Sequence, residues 1–536
     1  MTLSRSVAEI LRDHVTLEIE GIDRMYLNAV VPILQTEKGI AWFFREVRGH
    51  SFASSALMAP MTRGFVEAVE RFAQVHHLDV VSFEKKQRKE DVAAEYLRRF
   101  RGEEGLLFVG KAQEKTGVFR TERRKNPNTG ASYAWLYRST AMVNQYYFYA
   151  LDRDFGPFFL KFCSYFPYNA KLCINGHEYA KRQLDQRGIK YEALDNGVLS
   201  CADPALLQRI CDQLSASQID GLLRKWLRRL PHPFTAKDRS RDIRYDLSIL
   251  QAEFSLTQVL DQPLTGRVFF EEVIRENLDI GRPDQVQLIF DRRVISKGRH
   301  ATPGRFRTRV ITEGVYPSLH VDYKATRIKQ YHKEGRALRT ETTVNNTRDF
   351  KIGRRLHNLP ALREVGFRAN RRLLDVQRIS HDCSIGERGF HAIQRPRRVD
   401  GQRASALRFE AERVQALLHA LVLFRLLPQG FSNADLRERL EPLLGRRIPP
   451  GAVTYDLRRL RLHGLIKRIP RTHRYEVTSS GLRYALFFTR SYDRLLRPGL
   501  SLVLPEIVTT NSPLRASFRR LETVMASWVH EAKLAS

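Results

Sequence analysis

The chain has 536 residues, more than one hydrophobic core usually organises, and this length predicts three or four domains. Hydrophobic residues make up 43% of it and aromatic residues 10%, which excludes disorder over most of its length. Its 90 Lys and Arg against 59 Asp and Glu give a formal net charge of +31, which predicts a polyanionic partner, nucleic acid foremost.

The sequence carries neither a membrane signature nor a disulfide signature. No apolar run reaches the roughly 18 residues that a membrane span requires, and the first residues lack the apolar core of a signal peptide. The five cysteines are odd in number and widely spaced, which favours reduced thiols over a disulfide framework or a zinc module. We therefore expect a cytoplasmic protein, associated with the nucleoid or with other nucleic acid, that has no membrane partner. Nothing in the sequence identifies a protein partner.

Residues 1–130 are expected to form an α/β domain. Strand-like and helix-like patterns alternate here, in the order VTLEIEGI, FVEAVERFAQVHH, LDVVSF, EDVAAEYLRRF and GLLFVG. Alternation of short β-branched runs with amphipathic helices is typical of mixed α/β layers.

Residues 131–230 are expected to combine antiparallel strands with helices. Three aromatic or β-branched runs, each closed by Gly or Pro, follow one another from residue 146, and the helix EYAKRQLDQRG and a fourth strand KYEALDNG come next. Acidic residues mark the ends of these elements. Asp152 ends the first strand, with Asp154 as an alternative, Glu178 opens the helix and Asp195 ends the fourth strand.

This order of strands, helix and strand is similar to the opening of RNase H-like nucleases. The resemblance implies that Asp152, Glu178 and Asp195 are catalytic carboxylates that hold Mg²⁺, because two metal ions must activate water and stabilise the leaving oxygen. An alternative explains the same acids without any metal. The two aspartates lie in turn sequences, and Glu178 suits the positive end of a helix dipole.

After the helix-breaking PHPF at 231–234, residues 235–380 are expected to form a basic α+β domain. Between residues 324 and 378 there are fifteen Lys or Arg against five Asp or Glu. Aromatic rings interleaved with these cations can stack on unpaired bases while the cations follow the backbone. The expected nucleic-acid contacts are Lys324, Arg327, Lys329, Tyr331, Lys333, Arg336 and Arg339. The alternative is a solvated, salt-bridged face, and the pattern does not choose between DNA and RNA.

Residues 381–405 are rich in Gly and Arg and are expected to be a linker, whereas residues 406–536 carry clear helix signals. RFEAERVQALLHALVLFRLL reads as a long helix, and Ser432 can cap the next one, NADLRERLEPLL. In a third helix, AVTYDLRRLRLHG, the apolar residues Val453, Leu457 and Leu460 share one face. The strands LIKRI and RYEVT then flank the basic turn RTH, and a final helix follows.

This order of three helices, a two-stranded hairpin and a last helix resembles the winged helix-turn-helix family. The resemblance implies that the third helix enters the major groove of DNA and that the hairpin, or wing, contacts phosphate or the minor groove. The residues placed at this interface are Thr454, Tyr455, Arg458, Arg459, Arg461, Arg471, His473 and Arg474. The alternative is a winged helix that serves protein contacts.

Two classes of function follow from these patterns. In the first, the protein is a nucleic-acid binder that engages DNA, with RNA as a second candidate ligand, in DNA processing or targeting for a mobile element, a replication system or a defence system. In the second, the N-terminal half is a Mg²⁺-dependent nuclease or strand-transfer enzyme that the winged helix brings to its target. A transcription regulator is a further alternative, although regulators rarely need about 400 additional residues.

Overall fold

The computed structural model describes residues 7–84, 87–125, 127–241, 243–277, 306–311, 318–333, 336–381 and 383–496, with Arg520, Thr523, Val524 and Ser527 beyond them. The chain divides into two compact units. The N-terminal unit is Glu9–Arg371, and the C-terminal unit comprises the described residues from Arg372 onward together with Val7 and Ala8. Within the described residues, no helix is both long enough and apolar enough to span a bilayer.

A mixed eleven-stranded sheet organises the N-terminal unit, in the order β10-β11-β12-β13-β9-β1-β6-β5-β4-β3-β2. Strand β2 runs parallel to β3, and the other neighbouring strands are antiparallel. Two further strands, β7 and β8, form a separate hairpin. The strands are β1 (Val15–Val30), β2 (Val80–Ser82), β3 (Gly105–Lys125), β4 (Ser132–Asp152), β5 (Gly156–Cys163), β6 (Ala170–Asn175), β7 (Tyr191–Leu194), β8 (Gly197–Cys201), β9 (Asp246–Leu260), β10 (Phe306–Ile311), β11 (Ser318–Tyr323), β12 (Thr326–Lys333) and β13 (Ala337–Val344).

Helices pack on this sheet and enclose one large apolar core. The helix that follows Ser54 is an example, since the Ser54 hydroxyl caps its first turn and Phe65, Val69 and Ala73 recur at helical spacing on its buried face. The helices up to His381 are α1 (Val7–Asp13), α2 (Glu37–Trp42), α3 (Ser55–Val75), α4 (Lys89–Arg99), α5 (Gly176–Gln186), α6 (Pro204–Gln213), α7 (Ala216–Leu227), α8 (Ala236–Arg239), α9 (Pro263–Asn277) and α10 (Leu359–His381). The division between the two units falls within α1 and within α10.

The ranges 1–130, 131–230 and 235–380, predicted as separate domains, contribute strands to the same sheet. Strand β1 lies between β6 and β9, and β9 pairs on its other side with β13. Phe234, in the segment predicted as an interdomain joint, is 1% exposed within the common core. Local sequence patterns identify strands but not their distant partners, so the prediction divided one sheet into three parts. The coarser expectation of a mixed α+β architecture is confirmed.

The C-terminal unit is built from short helices and two small hairpins. The Ser432 hydroxyl accepts from the backbone N–H of Asp435, which confirms the predicted cap, and Val453, Leu457 and Leu460 are buried as expected. Its elements are α11 (Gly386–Ile393), β14 (Arg397–Val399), β15 (Gln402–Ala404), α12 (Glu412–Phe424), α13 (Asn433–Leu444), α14 (Pro450–Leu462), β16 (Ile466–Arg468), β17 (Tyr475–Val477) and α15 (Ser479–Arg490).

The predicted linker at 381–405 is therefore structured in its described part. It contains α11 and the β14–β15 hairpin, which turns at Asp400 and Gly401. Both residues have positive φ, at 48° and 72°, as a tight two-residue hairpin turn of this hand requires. An Asp-Gly pair is a strong local hairpin signal, but the high content of Gly and Arg around it obscured that signal.

Candidate nucleic-acid interface

Helix α14 presents a polar, basic face to solvent in the C-terminal unit. Thr454, Tyr455, Arg458 and Arg461 are exposed on it, and Tyr455 retains 50% of its accessible surface. The Thr454 hydroxyl accepts from the Asn433 side-chain amide at 2.9 Å, which links the first turn of α14 to the start of α13. Four of the five α14 residues predicted at the interface are thus accessible to a ligand.

Arg459, the fifth predicted residue of α14, holds the β14–β15 hairpin instead of facing solvent. Its guanidinium donates to the backbone carbonyl of Ser405 at 3.2 Å and to that of Ala406, and burial lowers its pKa. The Ser405 hydroxyl also lies 2.8 Å from the Tyr455 hydroxyl, and Arg461 donates to the Gln402 side chain at 3.2 Å. Contact of Arg459 with nucleic acid stays a prediction, but its guanidinium is half-buried and already donates from two nitrogens to the backbone after β15.

The β16–β17 hairpin places two of its three predicted contact residues at the surface. Arg471 and His473 are exposed, and Arg471 sits in the turn with φ of 57°. Arg474 points inward and donates to the backbone carbonyls of Gln429 at 2.8 Å and Gly430 at 2.6 Å. Since Arg474 also pairs with Asp435 at 3.3 Å, its role is to fix the hairpin to the start of α13.

The β14–β15 hairpin adds exposed arginines that are not among the residues predicted at an interface. Arg397, Arg398 and Arg403 are exposed on it, and Arg398 and Arg403 lie directly opposite each other in the strand register. Like charges at directly opposed positions repel and destabilise a hairpin. Arg397 points to the other side of the hairpin and donates to the backbone carbonyl of His463 at 3.4 Å. We call the exposed Arg458 and Arg461 of α14, together with Arg398 and Arg403 of the hairpin, the basic face.

The central basic tract forms strands in the sheet, where most of its cations already have partners. Arg327 pairs with Asp322 at 2.7 Å, and Lys333 lies 3.5 Å from Asp195. Lys329 stands over the Tyr331 ring at 4.0 Å, and the Tyr331 hydroxyl donates to Glu341 at 2.8 Å. The half-buried residues of the tract are Lys324, Arg327, Lys329, Tyr331 and Lys333, while Arg336 is exposed in the turn before β13. The tract is thus a largely paired strand face.

Arg339 is the clearest correction within that tract, since its side chain is fully buried. Its guanidinium donates to Asp23 and to Nε2 of His177, both at 2.7 Å, and to Glu341 at 2.8 Å. Burial alone would raise the pKa of Asp23, but the charge of Arg339 and the neighbouring donors hold it well below its usual value. Arg339 is therefore a structural residue of the sheet and is not available to nucleic acid.

Asp152, predicted as a catalytic carboxylate, is buried and already paired. It accepts from the Lys225 ammonium at 2.8 Å and from the Trp226 indole at 2.7 Å. Its other oxygen accepts from the backbone N–H groups of Asp154 at 3.0 Å and Phe155 at 3.2 Å. The metal-free alternative therefore explains Asp152. One carboxylate oxygen accepts from the backbone of its own turn, and the other forms an ion pair with Lys225 of α7.

The three predicted metal ligands do not converge on one site. Glu178 opens α5 and pairs with Lys181 at 2.8 Å, whereas the Asp195 side chain is 91% exposed and lies near Lys333. Strand β7, predicted as the fourth strand of an RNase H-like sheet, pairs with β8 outside the large sheet. In the part of the chain that the structure describes, no three His, Cys, Asp or Glu side chains are grouped to hold a metal ion. The expected Mg²⁺ centre of Asp152, Glu178 and Asp195 is therefore not formed.

Comparison with known proteins adds no relatives to this picture. No protein-family model matches the chain, and no curated protein or solved structure is similar to it.

Proposed function

We propose that the protein binds double-stranded DNA and that its C-terminal unit acts as a winged helix. The order of α12, α13, α14, the β16–β17 hairpin and α15 is the order that such modules have. The observation that carries the proposal is the basic face, because it has four exposed arginines, whereas Asp400 is the acidic residue of the adjoining hairpin turn. A phosphate backbone would relieve the repulsion between Arg398 and Arg403.

In this proposal α14 lies in the major groove with its N-terminal half toward the bases. Thr454 and Tyr455 are exposed on that half, and Arg458 is exposed one turn after Thr454. Arginine can read guanine through two hydrogen bonds. The hairpin arginines of the basic face and Arg471 would contact phosphates, which fix the register of the helix on the duplex without reading sequence. Arg459 and Arg474 contribute indirectly, since they hold the two hairpins in place.

The biological role that we favour is DNA processing or targeting for a mobile element, a replication system or a defence system. The N-terminal unit supports this view, because a sheet of eleven strands far exceeds what a simple regulator requires. Duplex DNA is favoured over RNA as the ligand of the C-terminal unit. A major-groove helix fits B-form DNA, whereas the major groove of an RNA helix is too deep and narrow for side chains to read.

The test compares Arg458→Ala with Arg483→Ala in the full chain. Arg483 is an exposed arginine of α15, so both changes remove one surface charge from the same unit. Fluorescence anisotropy with a pool of duplexes containing random sequence should show weaker binding for Arg458→Ala by about 1 to 3 kcal/mol if the guanidinium contacts a base. Binding that is equal for the two variants across a salt series would contradict the proposal.

A further inference from the structure

The β3–β4 ribbon of the N-terminal unit extends far beyond the sheet from which it starts. Strand β4 pairs with β5 between Gln145 and Asp152, and β3 pairs with β2 only around Val109, Gly110 and Lys111. Along the rest of their lengths, to the pair Lys125 and Ser132, the two strands are hydrogen-bonded to each other. The ribbon is therefore a two-stranded projection and not a part of the sheet interior.

Contacts with the body of the unit stop well before the turn of the ribbon. Phe119 is buried in the core, the Thr121 hydroxyl lies 3.1 Å from that of Ser55, and Arg138 donates to the Gln35 backbone carbonyl. From residue 122 to residue 135 every described residue is exposed. We call residues 122–135 the ribbon tip. Its four paired residues on each strand correspond to a length of about 13 Å before the turn is added.

Two large aromatic side chains lie on this exposed tip. Tyr133 and Trp135 each retain 43% of their accessible surface, and the guanidinium of Arg124 stands 4.6 Å from the Trp135 ring. The contact between Arg124 and Trp135 crosses the two strands and stabilises an isolated ribbon. The two rings are neighbours because residues two apart on one strand share a face, and they meet edge to face with their centroids 6.4 Å apart. These contacts do not explain why Trp135 lies on the ribbon tip, whose described residues are all exposed.

The ribbon tip carries cations on both of its faces. In the strand register Arg124 is opposite Tyr133, while Arg123 is opposite Ala134 and Lys125 is opposite Ser132. Because neighbouring residues of a strand point to opposite faces, Arg124 lies on one face and Arg123 and Lys125 lie on the other. Glu122 is the acidic residue of the tip, and it pairs with Arg124.

Protection of a free strand edge is the main alternative explanation for these charges. Proteins commonly place cations on exposed edges to prevent pairing with other chains. That explanation accounts for Arg123 and Lys125, but exposed Tyr133 and Trp135 would have the opposite effect because they add an apolar, β-forming surface. Cations and aromatic rings together indicate a ligand that offers both negative charge and apolar surface.

We infer that the ribbon tip is a second DNA-binding element, which enters the groove of a duplex. A groove surrounds an inserted ribbon on both sides. Arg123 and Lys125 can then contact phosphates on one side, while the face of Arg124, whose charge Glu122 balances, lies toward the other side. The major groove of B-form DNA is about 12 Å wide and about 8.5 Å deep, and it admits a two-stranded β-ribbon of this reach. Tyr133 and Trp135 then contact sugars and base edges on the Arg124 side of the groove.

This inference rests on the proposed function only for the choice of duplex DNA as the ligand. The ribbon tip belongs to the N-terminal unit, and the basic face belongs to the C-terminal unit. Variants of the two surfaces can therefore be compared in the same full chain.

The experiment measures binding of a 30-base-pair duplex and of a 30-nucleotide single strand by fluorescence anisotropy over a salt series. The test variant is Arg123→Ala with Lys125→Ala, and a second variant is Trp135→Ala. The matched control is Arg209→Ala with Lys237→Ala, which removes two exposed cations elsewhere in the N-terminal unit. All substituted side chains are exposed, and an unchanged thermal unfolding midpoint establishes that each variant is folded.

We expect the double test variant to bind the duplex more weakly and to lower the slope of log affinity against log salt by about 2, as the loss of two phosphate contacts requires. The control should leave that slope unchanged, and Trp135→Ala should weaken duplex binding at every salt concentration. Duplex binding that matches the control for both test variants overturns the inference. Loss of single-strand binding with unchanged duplex binding also overturns it.

The same assay separates failure of the inference from failure of the proposed function. If Arg458→Ala weakens duplex binding and the ribbon variants do not, the inference fails and the proposed function stands. If only the ribbon variants weaken it, the ribbon is the DNA contact and the proposed role of α14 fails.

Discussion

Arg339 illustrates how a single side chain can look like a ligand contact and yet stabilise the fold. It is fully buried between Asp23, His177 and Glu341, and its guanidinium has donors enough to satisfy all three. Removing one partner of a buried ion pair leaves the other charge without compensation in a medium that solvates it poorly. Its contribution should therefore appear in the free energy of unfolding.

Arg339→Met is expected to lower the free energy of unfolding by about 3 to 5 kcal/mol, because Asp23 loses its buried partner. Urea denaturation followed by circular dichroism measures this change. Arg336→Ala is the control, since Arg336 is an exposed residue of the same basic tract and should change stability by no more than about 0.5 kcal/mol. Similar stability losses in the two variants would contradict the structural role.

His177 gives the same cluster a pH dependence. Burial, together with the nearby charge of Arg339, lowers the pKa of His177 to about 3, so the folded protein keeps it neutral. Because the guanidinium can only donate, Nε2 must accept from Arg339, which also requires the neutral ring. The unfolded chain protonates this histidine below about pH 6.5, so the unfolded state binds more protons between that value and about pH 3.

Stability is therefore expected to decrease as pH falls below about 6.5, with His177 contributing up to about 1.4 kcal/mol for each pH unit. Urea denaturation at pH 7, 6 and 5 should show a shallower decrease for His177→Gln than for the wild type. His232, whose pKa burial also lowers, to about 4, remains in both proteins and cancels in the comparison. Parallel decreases in the two proteins would rule out the assignment.

Neighbouring residues show what the sequence could and could not reveal about the candidate site. Helical periodicity correctly placed Val453, Leu457 and Leu460 inside, and it placed Arg458 and Arg459 together on the outer face. Only Arg458 is exposed, since Arg459 meets carbonyls of a segment more than fifty residues earlier in the chain. Periodicity describes a helix by itself and carries no information about which other segment covers part of its outer face.

At the scale of elements, the β14–β15 hairpin depends on Arg459 for its position beside α14. The guanidinium donates to two successive backbone carbonyls, and His463 also contacts the carbonyl of Ser405 at 2.9 Å. Because Arg459 joins α14 to the backbone that follows β15, it should control how often the β14–β15 hairpin detaches from α14.

Arg459→Ala is expected to release the hairpin without unfolding the rest of the C-terminal unit. Limited trypsin digestion should then cleave faster after Arg397, Arg398 or Arg403, because local opening exposes their peptide bonds to the protease. Arg458→Ala is the matched control and should be cut at the wild-type rate. Equal cleavage rates in both variants would show that Arg459 does not hold the hairpin.

The ribbon illustrates the limit of local prediction for an element. Aromatic and β-branched residues are typical of strands on both sides of the turn, but the local pattern does not say that the two strands pair with each other. Strand pairing over twenty residue pairs between β3 and β4 is a property of two segments taken together. The ribbon extends beyond the sheet because β5 pairs with β4 only as far as Gln145. The sequence of the ribbon itself does not contain that information.

At the scale of the whole molecule, the N-terminal unit behaves as one sheet that cannot be divided at the predicted domain boundaries. A fragment of residues 7–230 lacks β9, so β1 would lose its neighbour on one side along most of its length. A fragment of residues 7–381 keeps every described strand of the sheet and its core.

We expect the fragment 7–381 to unfold cooperatively and the fragment 7–230 to remain without a stable fold, since the shorter one exposes the unpaired edge and the apolar surface of β1. Thermal denaturation and the dispersion of amide resonances distinguish the two outcomes. Cooperative unfolding of the shorter fragment would contradict the single-sheet unit and support the separate domains predicted from the sequence.

The position of β1 also sets an order of events during synthesis of the chain. Val15 pairs with Leu260, so the first long strand to leave the ribosome waits for a partner made 245 residues later. At about 5 to 20 residues per second that interval lasts roughly 10 to 50 seconds. During it β1 offers an unpaired, partly apolar edge. Nascent chains are therefore most exposed to misassociation, and most dependent on chaperones, before β9 emerges.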